Sequence, residues 1–265
     1  VSKINDFGWP ASIHIIGKDI LRFHAIYWPA MLMSADIDLP ERVFGHGFLT
    51  SEGQKMGKSL GNVLDPQELL DEYGKDPVRW YLLRNIKFGQ DGDFQKKRFV
   101  DLINNDLANT IGNLLNRTST MSRKWFSGCI PNPNSEIKTS TLKDKAKNTC
   151  YDVLGKLDDL LFSEACESIL DLASSSNLYL NTNEPWRLIK EQSNIQTVAR
   201  DLYDVLESCR IIGLLLAPLL PSVSNDILQQ LSYDYVDSNW KESLEWGGLQ
   251  KGMELPEPQP IINKL

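Results

Sequence analysis

The densest chemistry in the sequence lies in Gly53-Gln54-Lys55-Met56-Gly57-Lys58-Ser59-Leu60-Gly61-Asn62, where Lys55 and Lys58 stand three apart among small residues. Placed after a strand, such a loop brings ammonium groups and backbone N–H donors onto a polyphosphate, where charge builds as pyrophosphate departs. By type and spacing alone the pair also fits a solvated basic turn. A Walker-type phosphate loop requires G-x-x-x-x-G-K-[ST] and a dinucleotide site requires G-x-G-x-x-G after a strand; the sequence contains neither.

A second group, Ile20, Phe23, His24 and Trp28, falls at helical spacing and can share one helix face. Aromatic rings with one imidazole suit a flexible thioether, whose sulfur sits well beside rings while the histidine orients a polar end. A core-facing helix with one satisfied histidine would look the same. Further on, Asn113 and Arg117 stand four apart, an amide and a guanidinium able to read the edge of an unstacked base. Trp186, after Pro185 at the start of a helix, offers a stacking plane. A solvated polar face and an ordinary core tryptophan are the competing readings.

These residues need elements to hold them. Ile13–Ile16 reads as a buried strand, Gly17-Lys18-Asp19 as a turn and Ile20–Met33 as a helix. Val43–Leu49 reads as a second strand running into a polar loop, Thr50–Asn62. This order suits an α/β sheet whose ligands lie at the carboxyl ends of strands. From Pro66 onward apolar residues recur at three and four positions, as at Leu69, Leu70, Tyr73, Val78, Tyr81 and Leu82, so the remainder is expected to be mostly helical. Pro131–Ser135 reads as a connector, followed by helices over about 141–160, 163–181, 195–217 and 222–231 in an antiparallel bundle. Alternating prolines in Leu255–Pro260 predict an extended surface segment, since they remove amide donors and fix φ.

The chain of 265 residues has a formal net charge of −7, which argues against broad, sequence-blind adhesion to nucleic acid, so any RNA contact must be local. Cys129, Cys150, Cys166 and Cys209 lie far apart, which indicates neither a zinc site nor a disulfide framework and fits a reducing compartment. The longest apolar run, Ile211–Leu220, is interrupted by Gly213 and Pro218, and a soluble protein without membrane contact is expected. Residue 1 is Val and no signal peptide follows it, so an upstream part is expected to be missing.

The lysine loop resembles the KMSKS loop of class I aminoacyl-tRNA synthetases, spelled KMGKS here, and Ser59-Leu60-Gly61-Asn62 extends the match. The run from Ile16 to Pro29 resembles the segment I-G-K-D-x-x-x-F-H-x-x-x-W-P of the methionyl-tRNA synthetase family. His14-Ile15-Ile16-Gly17 echoes that class's HIGH signature only superficially, because Lys18 follows and the surrounding run matches a later strand. The resemblance covers nearly the whole chain. It implies an α/β partial Rossmann catalytic half followed by an all-α anticodon-binding helical bundle, predominantly helical overall. The implied divisions are 1–65 for the Rossmann part with the lysine loop and 66–98 for stem-contact helices. The anticodon-binding domain would cover 99–235 and an extended tail 236–265.

The resemblance further implies a methionine–tRNA ligase lacking its HIGH half, inactive alone, with a non-catalytic tRNA anticodon-binding module as the alternative. The substrates would be ATP with Mg2+, L-methionine and tRNA(Met). Lys55, Met56, Gly57, Lys58, Ser59, Gly17, Asp19 and His46 would contact ATP, with Lys58 and Lys55 as the catalytic cations. Ile20, Phe23, His24 and Trp28 would line the methionine pocket. Asn113, Arg117 and Trp186 would read the CAU anticodon. Gly57 departs from the family's usual serine, costing one hydroxyl and adding backbone freedom. The KMGKS spelling and Asp76-Pro77-Val78-Arg79-Trp80-Tyr81 look most like cyanobacterial and plant-organelle enzymes, so a chloroplast or mitochondrion is the expected location, otherwise the cytoplasm.

Overall fold

A computed structural model describes residues 8–134, 141–234 and 239–265, with the side chain of Lys58 outside that set. Ser135, the end of the expected connector, and the expected boundary at 235–236 also lie outside the described residues. The chain divides into two compact units, Val1–Leu64 with Ile86–Gln95, and Asp65–Asn85 with Lys96–Leu265.

The first unit is α/β. β1 (His14–Gly17) runs parallel to β2 (Val43–His46), with Gly17 in register with His46. Parallel pairing requires a crossover, and the helical segment between the strands supplies it. That crossover is not the single helix expected over Ile20–Met33. It consists of a 3-10 turn (Lys18–Ile20), a π-helical turn (Phe23–Tyr27) and α1 (Trp28–Ser34). The amide of Trp28 reaches back to the carbonyl of Phe23, an i→i+5 bond whose wider turn the 3.6-residue pattern does not encode.

The strand expected over Val43–Leu49 is two strands, β2 and β3 (Leu49–Ser51), broken near Gly47. A Cβ on Gly47 would meet the carbonyl oxygen of Gln90 at 2.2 Å, so only glycine permits this close approach of two backbones. Part of the expected polar loop is a hairpin instead: β3 pairs antiparallel with β4 (Gln54–Lys55) through Glu52 and Gly53, both at positive φ (51° and 76°). Positive φ at both central positions is the tight turn whose twist matches that of paired strands. On its other edge β3 runs parallel to β5 (Gly92–Phe94).

The second unit is helical. α2 (Pro66–Tyr73) has Asp65 as its cap, the carboxylate accepting from the Gln67 amide at 2.8 Å, and Pro66 at its start. α3 is Lys75–Asn85 and α4 is Lys96–Leu102, continued by a π-helical stretch, Ile103–Gly112, into α5 (Asn113–Trp125). Then follow α6 (Thr141–Asp158), α7 (Phe162–Asn183), the short α8 (Pro185–Leu188), α9 (Ile195–Leu216), α10 (Pro221–Gln230) and α11 (Trp240–Ser243). The four helices expected from residue 141 onward are all present, with ends shifted by a few residues.

Buried from Val198 to Leu216, α9 is the axis of the bundle. Its polar residues are accordingly paired. Arg210 and Glu207 have no solvent exposure and bond through Nε and Oε1 at 3.0 Å. The Glu207 carboxylate also accepts the amides of Gly247, Gly248 and Leu249 at 2.7, 3.0 and 3.0 Å. Arg210 donates to the carbonyls of Ser243 and Glu245, so the pair pins the 243–249 segment to the axis.

The segment after Leu255 is irregular, as the prolines require, but it is not merely lying on the surface: Leu255 and Ile261 are buried. Arg123 on α5 donates to Leu255 O and to the Glu257 carboxylate. Gln259 N donates to Gln230 (2.9 Å), and the Asn104 side chain clasps Leu265, accepting from its amide at 3.0 Å and donating to its carbonyl at 3.2 Å. The segment is therefore a strap running antiparallel to the helix that carries Asn113 and Arg117.

Candidate functional site

In the first unit, the carboxyl ends of β1 and β2 bring Gly17 beside His46. Asp19 folds back over this point, since a Cβ on Gly17 would lie 2.6 Å from Asp19 Oδ1. Strand ends followed by a tight turn are where open α/β sheets receive ligands. His46 Nδ1 lies 2.9 Å from the carbonyl of Gly47, toward which it donates. The His46 and Phe44 rings both stack on Phe88 of the 86–95 segment, with centroids 6.3 and 4.6 Å away.

Three of the four residues expected around an amino-acid side chain do converge. Phe23, His24 and Trp28 line a concavity of about 420 Å3, together with His14, Tyr27 and Met31. Ile20 is not among the lining residues; it contributes its carbonyl, 3.1 Å from His24 Nδ1. Trp9 packs edge-on against both Trp28 and His14, at 6.2 and 5.9 Å between centroids. The sequence reading missed His14, Tyr27 and Met31 in the lining and Trp9 behind it. The one available signal was position: His14 opens the strand that ends at Gly17. The π-helical turn brings Phe23 and Tyr27 together, their rings 5.5 Å apart.

The lysine loop is held at two points. Lys55 lies on β4 opposite Thr50, and the backbone of Lys58 opens a short 3-10 turn, Lys58–Leu60. Asn62 clasps the loop, its Oδ1 accepting from Gly57 N (2.9 Å) and its Nδ2 donating to Lys55 O (3.2 Å). Met56 and Gly57 are half-buried and Ser59 is exposed. A Cβ on Gly57 would meet Leu60 at 3.6 Å, an ordinary contact, so the family's serine fits this backbone.

At the hairpin end, Asp93 on β5 accepts from Thr50 Oγ1 (2.6 Å) and from Gly53 N (2.8 Å). These bonds, with that from Gln95, hold its carboxyl below the usual aspartate value. Two residues earlier, Asp91 pairs with Lys18 at 2.6 Å and accepts from Phe48 N at 2.7 Å, and its carboxyl is likewise lowered, by Lys18 first and then by that amide. One return strand thus supports both the lysine hairpin and the turn that carries Lys18 and Asp19. Asp91 and Asp93 escaped the sequence reading because their partners, Lys18, Phe48, Thr50 and Gly53, lie far earlier in the chain; Asn62 stands inside the lysine run, but its clasp on Gly57 and Lys55 shows only in the fold.

In the second unit, Asn113 and Arg117 share α5, with Asn113 exposed and Arg117 half-buried. The Arg117 guanidinium lies over the ring of Trp186 on α8, 5.8 Å from its centroid, and donates to Asn181 at 3.1 Å. Trp186 is half-buried, so it is not a core tryptophan. An amide, an oriented guanidinium and an indole close together are the components of a base-recognition patch. Among the described residues no group of acidic, cysteine or histidine side chains is arranged to hold a metal, and the four cysteines are free thiols.

Comparison with known proteins gives matches over both units. Residues 8–119 match the family model "tRNA synthetases class I (M)", and residues 132–265 match "Anticodon binding domain of methionyl tRNA ligase". A methionine–tRNA ligase of Synechocystis is 46% identical over 97% of this chain and 50% of its own length. The chloroplastic/mitochondrial methionine–tRNA ligase of Arabidopsis thaliana is 44% identical over 98% of this chain and 43% of its own. Mycobacterium tuberculosis methionyl-tRNA synthetase, solved with methionyl-adenylate, superposes with a TM-score of 0.87 at 38% identity, over 96% of this chain and 50% of that one. The chain spans about half the length of the relatives it matches. With the α/β unit, the lysine loop and the helical bundle all accounted for by these matches, the chain belongs to the methionyl-tRNA synthetases, among the class I aminoacyl-tRNA synthetases.

Proposed function

We propose that the chain works as part of a methionine–tRNA ligase, which uses MgATP to convert methionine to methionyl-adenylate and passes the methionyl group to the 3′ end of tRNA(Met). The observation that carries this reading is the shared support of two motifs by the 91–94 segment: Asp93 on β5 fixes the lysine hairpin and Asp91, just before it, fixes the turn at Lys18. Groups of both motifs would then approach one nucleotide.

In the first step the methionine carboxylate attacks the α-phosphorus and the bond to pyrophosphate breaks. Lys55 and Lys58 balance the charge on the departing phosphates, Met56, Gly57 and Ser59 complete the loop around them, and Gly17, Asp19 and His46 border the ribose and adenine. A carboxylate at Asp19 suits ribose hydroxyls, which donate to it. Phe23, His24 and Trp28 hold the methionine side chain, with Ile20 at the edge. In the second step a terminal ribose hydroxyl of the tRNA takes the acyl group from AMP. No enzyme nucleophile is needed; positioning and charge stabilisation carry both steps.

Asn113, Arg117 and Trp186 recognise the CAU anticodon. A chloroplast or mitochondrion is the proposed location, supported by the likeness to the plant organellar protein. The domain divisions at 65, 98 and 235 are kept as functional boundaries within this reading.

The test is methionine-dependent ATP–pyrophosphate exchange in the chain joined to the remaining half-length of its relatives. Exchange that depends on Lys55 and Lys58 supports the ligase. Binding of a CAU hairpin RNA by the same protein with no exchange would instead make it a non-catalytic anticodon-binding module.

A further inference from the structure

One face of α6 carries Lys143, Ala146, Lys147, Cys150, Tyr151 and Leu154, at the three- and four-residue spacing of a helix stripe made for a core. Only part of it is covered. Ala146 and Cys150 are buried but Tyr151 is 64% exposed, and the stripe opens into a cleft of about 300 Å3 closed by Ile211 of α9 and by Lys241, Leu244, Glu245 and Trp246. The far wall is fixed in place. Arg210 donates from Nη1 to Ser243 O (2.5 Å) and from Nη2 to Glu245 O (2.6 Å), one on each side of Leu244, and Trp240 Nε1 donates to Leu214 O (2.7 Å). The buried Arg210–Glu207 pair, which the ligase reading does not use, thus preorganises one side of the cleft.

The cleft has two chemistries. Its floor, at Ala146, Cys150, Ile211 and Leu244, is apolar; burial pushes the Cys150 thiol up to about 11, so it stays protonated, a weak donor 3.9 Å from Leu244 O and not a nucleophile. Tyr151 and Trp246 add aromatic surface. Exposed Lys143, Lys147 and Lys241 stand against one carboxylate, Glu245, and among the described residues none of these lysines has an ion-pair or hydrogen-bond partner. That is a local excess of positive charge in a chain whose formal charge is −7.

We propose that the cleft binds a small aromatic acid, its flat rings against Tyr151 and Trp246 over the apolar floor and its carboxylate held by the lysines at the mouth. Aromatic walls favour an aromatic guest, because ring faces and edges attract one another beyond simple burial. Three cations against one carboxylate leave a place for a negative group, and a charge-assisted contact is stronger than a neutral one. A volume near the lower end of small-molecule clefts, about 300 Å3 upward, fits one or two rings rather than a segment of a partner protein. The cleft shares no residue with the lysine loop, the concavity at Trp28 or the patch at Arg117 and Trp186, so the inference stands apart from the ligase reading. A guest there ties α6 to α9 and to the 243–249 segment, and stabilises the bundle by mass action.

The experiment titrates the 265-residue chain with indole-3-carboxylate and follows the tryptophan indole N–H resonances by NMR, the signal of Trp246 being identified by its loss in Trp246→Phe. Saturable, sub-millimolar binding that shifts the Trp246 signal is expected. Indole-3-carboxamide, which keeps the rings and lacks the charge, should bind about tenfold more weakly. In Lys147→Glu/Lys241→Glu, both at exposed positions, the acid should lose its advantage over the amide while the amide binds as it does to the native chain. The melting temperature should rise with added indole-3-carboxylate in the native chain and not in the double variant. The proposal is overturned if indole-3-carboxylate does not saturate, if it binds with the Trp246 signal unmoved, if the amide binds as tightly as the acid, or if the double variant keeps the preference for the acid.

Discussion

The guanidinium of Arg117 on α5 lies 5.8 Å from the ring centre of Trp186 on α8, on a side chain that Asn181 also orients. A planar cation stacked on an indole presents a fixed donor edge, which a lysine cannot reproduce. Arg117→Lys is therefore expected to weaken binding of a CAU hairpin RNA by about 10-fold, and Trp186→Ala by about 10- to 100-fold, since stacking on an aromatic contributes about 1–3 kcal/mol per base. Thermal unfolding should barely move, because neither side chain is in the core. Equal affinity of Arg117→Lys and the native protein would show that charge alone matters.

Asn62 closes the lysine loop through bonds to its main chain, at Gly57 N and Lys55 O. In the joined, exchange-competent protein, Asn62→Ala should slow pyrophosphate exchange about tenfold, the cost of roughly 1.4 kcal/mol for the loss of its two hydrogen bonds to the loop main chain. Asn62→Asp keeps the acceptor for Gly57 N but loses the donor to Lys55 O, so an intermediate rate is expected. Hydrogen exchange at the Gly57 amide should rise in Asn62→Ala alone, a readout that separates loop positioning from general destabilisation.

Lys58→Ala should cost on the order of 10²–10³ in the rate of methionine activation, comparable with removing one preorganised donor from a transition state. Gly57→Ser should leave that rate within a few-fold, because the added Cβ makes only an ordinary contact with Leu60, at 3.6 Å. An unchanged rate in Lys58→Ala removes that residue from the assignment.

The hairpin anchor at Asp93 carries a pH dependence whose sign is fixed. Its carboxyl is lowered by the bonds from Thr50, Gly53 and Gln95, so the folded state prefers the ionised form. The stabilisation is full above the unfolded value near 3.8 and is lost as pH falls through the lower folded value. Protection of the Gly53 amide should therefore persist down to about pH 5 and decline only in stronger acid. In Asp93→Asn, protection should be reduced already at neutral pH and flat across the acid range.

Glu207→Ala removes one partner from a fully buried ion pair and orphans the amides of Gly247, Gly248 and Leu249. Loss of about 3–5 kcal/mol is expected in chemical denaturation. Gly248→Ala should also destabilise, because its Cβ would lie 2.6 Å from the Arg210 guanidinium carbon. Wild-type stability in Glu207→Ala would mean that the 243–249 segment contributes nothing to the bundle.

Much of this fold could be read from spacing. The apolar period through Leu102, Ile103, Leu107, Ile111 and Leu114 marks one continuous helical rod, and these residues are buried or nearly so. That period could not reveal the π-helical stretches at Phe23–Tyr27 and Ile103–Gly112, since i→i+5 bonding changes the local pitch without changing residue types. Alternating prolines told correctly that Leu255–Pro260 has no regular structure, but not that Leu255 is buried, because an extended strap can dock through main-chain bonds to Arg123 and Asn104.

The candidate site was legible where its residues are local. Lys55, Lys58 and Asn62 lie in one short run, and Phe23, His24 and Trp28 in another. The partners that hold them were not. Asp91 and Asp93 read as ordinary acidic loop residues until β5 pairs with β3, and that pairing spans all of α2 and α3. His14 lay in view, yet its neighbourhood invited comparison with the wrong signature rather than with the concavity it lines.

The detour of the chain through α2 and α3 before β5 joins β3 and β4 has an evolutionary corollary. A single crossover at Leu64 would transplant the lysine hairpin without Asp93, the aspartate that fastens Thr50 and Gly53. The two units are thus interleaved in inheritance: recombination can exchange the α/β unit intact only with two junctions, so its lysine loop and the start of the helical bundle are constrained to evolve as one block.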